Sequence, residues 1–222
     1  MARGVSVVNI KNRQHLIDEL TLDLKPVKST NVALMSLIYL MGFYLFILSV
    51  YAVTGPFRSG SANQLISSMQ FLAESAAGFL SIAILLYSGF KLAIPAPKTL
   101  IDRLKWPLLS VLIWLGFYMV DLVSPALKPS IDGMRAHCSL QVFIFALPIL
   151  FIGLYWVNKQ WPVYPVSTGL LVGLASGCTS TLIMQFACMY EPQHTLIAHV
   201  LPGILVGVLG AVVGLVTLIN KK

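Results

Sequence analysis

Charge is scarce in this chain of 222 residues: Asp, Glu, Lys and Arg together make up 10% of it, against about a quarter in a soluble globular domain. That shortage, with 57% apolar residues and a mean hydropathy of +0.84, excludes a water-soluble fold. Catalytic signatures are also missing. The chain has no phosphate-cradling loop, no HExxH pair and no nucleophile elbow, so no enzyme class is indicated. Its three cysteines form no CxxC, which counts against a disulfide-generating enzyme. With no catalytic site there is no cofactor to assign.

Long apolar runs are what the chain does have. A spanning helix needs roughly 20 mainly apolar residues, and six runs qualify: Val32 to Val53, Leu65 to Leu92, Trp106 to Val123, Cys138 to Val157, Val163 to Met189, and Leu196 to Ile219. The expectation is an all-α polytopic membrane protein, a six-helix transmembrane bundle over residues 32–222. Residues 1–31 form a polar N-terminal segment ahead of it, and the first span reads as an uncleaved anchor.

Lys and Arg resist translocation, so their distribution orients the chain. With the N-terminus inside, twelve of the fifteen fall on the cytoplasmic side, leaving Arg58, Lys128 and Arg135 outside. Both termini are therefore expected to be cytoplasmic. The net charge of +7 is then accounted for by topology and anionic lipid headgroups, without a nucleic-acid partner.

Within the N-terminal segment, residues 12–25 place Leu16, Ile17, Leu20 and Leu24 on one face, the pattern of a short amphipathic helix capped by Asn12 and ended by Pro26. A helix this short is marginal alone. Its acidic residues, Asp18, Glu19 and Asp23, favour a partner groove over a lipid surface.

Cys138 opens the fourth span and Cys188 closes the fifth, so both arrive at one membrane face, opposite most of the basic residues. They lie about 20 and 28 residues from the turn near Lys159. At about 1.5 Å per residue this brings them level to within roughly 12 Å. Three readings stay open: a redox pair, a metal ion held with His137, His194, Met134 or Glu191, or inert buried thiols. No standard ligand spacing favours the metal, and none is assigned. His199 reads as a satisfied polar contact.

Glycines recur every fourth residue at Gly169, Gly173 and Gly177, and a second stripe runs through Gly203, Gly207, Gly210 and Gly214. Small residues let helix backbones approach in lipid. Spans five and six should pack against each other or span four, and the same stripes offer a route to a homo-oligomer. Glu74 and Asp121 fall inside spans, where carboxylates need partners such as Gln70 or Tyr118.

The run Leu16 to Ser29 (LIDELTLDLKPVKS), the six spans, the cysteine opening span four, Trp161 to Gly177 (WPVYPVSTGLLVGLASG) and the cysteine closing span five together resemble the NrsF-like family of anti-sigma factors. The resemblance implies a bacterial inner-membrane protein whose cytoplasmic segment sequesters an extracytoplasmic-function sigma factor until periplasmic stress is sensed. It implies sigma-factor contacts at Leu20, Leu24, Lys25, Pro26, Val27 and Lys28, and sensing at Cys138 and Cys188. After Lys28 the chain departs from the family pattern, with Ser29, Thr30 and Asn31 where further Arg and Pro are usual. Cys178 has no family counterpart. The alternatives are a small transporter or channel lined by Glu74, Asp121 and Gln70, and a membrane thiol-redox protein.

Overall fold

The computed structural model describes residues 10–22, 30–55 and 57–219. The chain divides into two units, with the boundary between Asn31 and Val32.

In the first unit, helix α1 spans Ile10–Leu22. It begins before Asn12, so Asn12 lies within the helix and does not cap it. Leu16, Ile17 and Leu20 are each more than half exposed. The Thr21 hydroxyl donates to the Ile17 carbonyl at 2.8 Å, a local bond that weakly opposes helix continuation. Leu24 and the proposed stop at Pro26 lie outside the described residues.

The second unit is helical. Its elements are α2 (Val32–Thr54), α3 (Ser61–Ser67), α4 (Met69–Leu92), α5 (Leu100–Asp121), α6 (Cys138–Lys159), α7 (Pro165–Ala187), the short α8 (Pro192–His194), a π-helical segment Thr195–Val200, and α9 (Leu201–Ile219). Among the described residues there is no strand beyond an isolated bridge between Ser130 and Tyr190. Six helices are long and apolar enough to cross a membrane.

Of the boundaries that differ from the hydropathy reading, two show the cause most directly. The second apolar run does not start at Leu65, because Ser68 adopts an extended conformation and its hydroxyl accepts from the Phe71 amide at 3.3 Å. That N-cap starts a new helix and leaves Ser61–Ser67 as a separate turn of helix. Helix α5 starts at Leu100, not Trp106, because Thr99 caps the Asp102 amide at 3.3 Å. The polar first turn lowered the apparent hydropathy. Arg103 and Lys105 thereby become part of α5, and the Arg103 guanidinium closes the α4–α5 turn on the carbonyls of Lys91 and Ile94.

Helix α7 is the centre of the bundle. Its most apolar window is 89% buried, against 22% for α2 and α5, and α4, α6 and α9 pack around it. A Cβ added to Gly173 would lie 2.6 Å from the Val206 carbonyl oxygen and 2.9 Å from the Gly207 Cα. Likewise Gly169 faces Gly210, Gly177 faces Gly203, and Gly214 faces the Pro165 carbonyl. The two stripes are consumed by packing α7 on α9 within one chain. Their packing within one chain gives the homo-oligomer reading no support from the stripes. On the other flanks, Leu85, Leu86, Phe90, Leu150, Leu154, Leu171 and Val172 fill a continuous apolar core.

Candidate functional site

The bundle end where α6 begins and α7 stops gathers most of the buried polar chemistry. Cys138 is the first residue of α6, and its thiol donates to the Arg135 carbonyl at 3.2 Å. Cys188 follows the last residue of α7, where the chain turns extended and its amide still bonds the Met184 carbonyl at 2.8 Å. The two sulfurs lie 2.8 Å apart, both buried. They are free thiols. Level helix ends, foreseen to within roughly 12 Å, become contact because the connecting loops fold back: the Ser130 amide donates to the Tyr190 carbonyl at 2.9 Å.

Two histidines complete the cluster. The Glu191 carboxylate caps α8, accepting from the Gln193 amide at 3.2 Å and from the His194 amide. The chain then widens into the π-helical segment, whose i→i+5 pairing brings residues five apart onto one face. His194 and His199 are such a pair, with ring centroids 5.0 Å apart and planes at 89°. The Thr181 hydroxyl donates to the His199 carbonyl at 2.8 Å, anchoring the wide turn to α7. His194 Nε2 lies 3.6 Å from the Cys188 sulfur. One ligand atom from each of Cys138, Cys188, His194 and His199 falls within 4.8 Å of the others.

His199 departs from its reading as a satisfied polar contact. It is fully buried, and neither ring nitrogen makes a well-aligned hydrogen bond; its polar neighbours are the Cys188 sulfur and the His194 ring. His137 and Met134 are exposed, and the Glu191 carboxylate is occupied in capping, so none of these three belongs to the cluster. Spacing did not reveal His199, because an α-helix would put residues 194 and 199 on different faces.

Two arginines buttress this end. Arg58 is buried, with Nη1 donating to the Cys188 carbonyl at 2.9 Å and Nη2 to Gln64 Oε1 at 2.8 Å. Burial pulls its guanidinium below the ordinary value, while Cys188 and Tyr190 act to restore it. Arg135 donates to the carbonyls of Ala187 and Gly55 at 3.2 and 2.9 Å and stands over the Tyr51 ring at 5.6 Å.

A second polar network adjoins the first through Tyr190. Its hydroxyl donates to Asp121 Oδ2 at 2.9 Å and accepts from the Ala126 amide at 3.0 Å. Gln70 Nε2 donates to Asp121 Oδ1 at 2.7 Å, as the sequence suggested. Glu74 is fully buried and accepts from Gln185 Nε2 at 2.7 Å, while Gln185 Oε1 accepts from Tyr118 at 3.2 Å. These contacts tie α4, α5 and α7 together, as expected for carboxyl groups in an apolar bundle. A cavity of about 590 Å³ between α4 and α5 is lined by Tyr87, Lys91, Lys98, Arg103, Lys105 and Trp106. It reaches neither Glu74 nor Asp121.

Cys178, midway along α7, is buried away from the pair. Of the residues implied to contact a sigma factor, Leu20 is exposed on α1, and Leu24, Lys25, Pro26, Val27 and Lys28 lie outside the described residues.

A family model described as NrsF, negative regulator of sigma F, matches residues 20–219, nearly the whole chain. No curated protein and no solved structure matches it.

Proposed function

Because this chain belongs to the NrsF family, the negative regulators of sigma F, we propose that it is a membrane-anchored anti-sigma factor. Residues 1–31 sequester an extracytoplasmic-function sigma factor at the cytoplasmic face of a bacterial inner membrane. The transmembrane bundle releases it when stress reaches the Cys138 and Cys188 pair on the periplasmic side.

The observation that carries this reading is the family match, which includes both the end of the N-terminal segment and the bundle. Two features support its parts. Leu16, Ile17 and Leu20 stay exposed on α1, leaving an apolar surface for a partner groove; Leu24, Lys25, Pro26, Val27 and Lys28 extend that contact. Cys138 and Cys188 meet at the bundle end opposite the α6–α7 turn and Lys159, so a signal there acts on helix packing. The chain then works as a regulator and not as a catalyst.

Removal of residues 1–28 should free the sigma factor from the membrane fraction and switch on its regulon without stress. A sigma factor still sedimenting with membranes that contain the truncated chain would refute the assignment. Replacing Cys138 and Cys188 by Ser should leave repression in place and blunt the stress response.

A further inference from the structure

We propose that Cys138, Cys188, His194 and His199 form a four-ligand site for a soft or borderline divalent cation of the class of Zn²⁺ and Cd²⁺. Three separate pieces of chain deliver the donors: the first residue of α6, the residue after α7, and the α8–π segment. Two sulfurs and two imidazole nitrogens are the donor set of tetrahedral zinc sites. Hard cations such as Mg²⁺ and Ca²⁺ find no oxygen ligand among the four.

The dimensions fit. With bond lengths of about 2.0 Å to nitrogen and 2.3 Å to sulfur, the edges of such a tetrahedron run roughly 3.3 to 3.8 Å. The four donor atoms already lie within 4.8 Å of one another. The Cys188 to His194 separation of 3.6 Å is already within that range. Bringing the ion in parts the sulfurs by about 1 Å from 2.8 Å and draws His199 inward, which are side-chain rotations.

The fully buried His199 ring has no well-aligned hydrogen bond on either nitrogen. A buried polar group left unpaired costs about 1–3 kcal/mol, and a metal bond would satisfy one of the two nitrogens. Charge also balances: binding releases the two thiol protons to solvent, and two thiolates and two neutral imidazoles around a dication sum to zero, which suits a site out of water. The π-helical segment adds a geometric reason, since it is the departure from α geometry that turns His194 and His199 to the same side.

This site deepens the sensory role proposed for the cysteine pair and rests on that role for its regulatory meaning, although binding itself does not depend on it. Cation occupancy would fasten the start of the last span to α6 and α7.

The test uses the full-length chain, reduced and stripped of metal, in detergent micelles, with Cd²⁺ as the probe and Zn²⁺ as competitor. One Cd²⁺ per chain should be retained, with a thiolate-to-cadmium charge-transfer band that Zn²⁺ erases. His194→Ala and His199→Ala should each weaken binding by more than about tenfold, since even outer partners of a metal site cost 10–100-fold. Cys178→Ser and His137→Ala should change neither stoichiometry nor affinity. X-ray absorption on the unaltered Cd²⁺-loaded chain, which needs no variant to fold, should show two sulfur and two nitrogen neighbours. No retained Cd²⁺, an oxygen-only shell, or binding indifferent to His199→Ala in a chain of unchanged helicity would overturn the site. The truncation of residues 1–28 reads out sigma-factor release alone, so the two proposals fail separately.

Discussion

Replacing Gly173 by Ala tests the packing on which the bundle depends. The added Cβ would meet the Val206 carbonyl oxygen at 2.6 Å and the Gly207 Cα at 2.9 Å, where ordinary contact begins near 3.4 Å. Both are backbone atoms of the neighbouring helix, so no rotamer change relieves the clash, and α7 and α9 must separate by about 0.8 Å. Overpacking of this kind costs about 1–3 kcal/mol. The substitution recovers about 0.5–1 kcal/mol because Ala is the better helix former, leaving a net loss of up to about 2.5 kcal/mol, whereas Ala at an open helix position keeps the whole gain. At Gly42 and Gly116 an added Cβ would meet nothing within 4 Å, so Ala there should be neutral or slightly stabilising. Adding Gly177→Ala to Gly173→Ala should cost less than the sum of the singles, since one separation of the helices relieves both clashes. Reversible unfolding by SDS in mixed micelles measures each variant. Equal stability of Gly173→Ala and Gly116→Ala would refute the backbone-on-backbone contact, and strict additivity would refute its rigidity.

The polar network gives two further predictions. Gln185→Leu removes the hydrogen bonds that Glu74 and Tyr118 make to Gln185 and should cost about 1–3 kcal/mol in the same unfolding assay. Tyr190→Phe removes the donor to Asp121 and the acceptor for the Ala126 amide, with a loss of similar size. Arg58→Lys should not rescue Arg58→Ala, because a single ammonium does not reproduce the fork that reaches both the Cys188 carbonyl and Gln64; faster alkylation of Cys188 in both variants checks this. Cys178→Ser should leave the stress response intact in cells, since Cys178 lies apart from the pair along α7.

The spans were legible because the bilayer sets a length that composition alone can meet, and α2, α6 and α7 end within a few residues of their apolar runs. The errors came from caps. Ser68 and Thr99 decide where α4 and α5 begin through single side-chain hydrogen bonds, which hydropathy does not register. The glycine stripes were legible in period, and the structure adds that they face each other, pairing Gly169 with Gly210 and Gly177 with Gly203. Cys138 and Cys188 were legible as neighbours in height only; the folding back of the loop through Ser130 brings their sulfurs together. His199 was hidden, because its place depends on a π turn that leaves no repeat in the sequence.

The fold also limits how a change in bonding at the cysteine end is transmitted. Cys138 begins α6, Cys188 follows α7, and His199 leads into α9, so a bond among them pulls on three helices at once. Along α7 and α9 the contact is between backbones at four successive levels, from Gly177 and Gly203 down to Pro165 and Gly214. Such a contact has little side-chain slack to absorb a displacement of about 1 Å, so α7 and α9 carry it along their length as rigid bodies. Moving a two-state bundle from 1:99 to 99:1 needs about 5.5 kcal/mol of differential binding. Structural Zn²⁺ sites supply about 10–16 kcal/mol in total. A cation that binds one packing of these three helix ends in preference to the other therefore has enough free energy to reset the bundle, whereas one that binds both packings equally shifts nothing however tightly it is held.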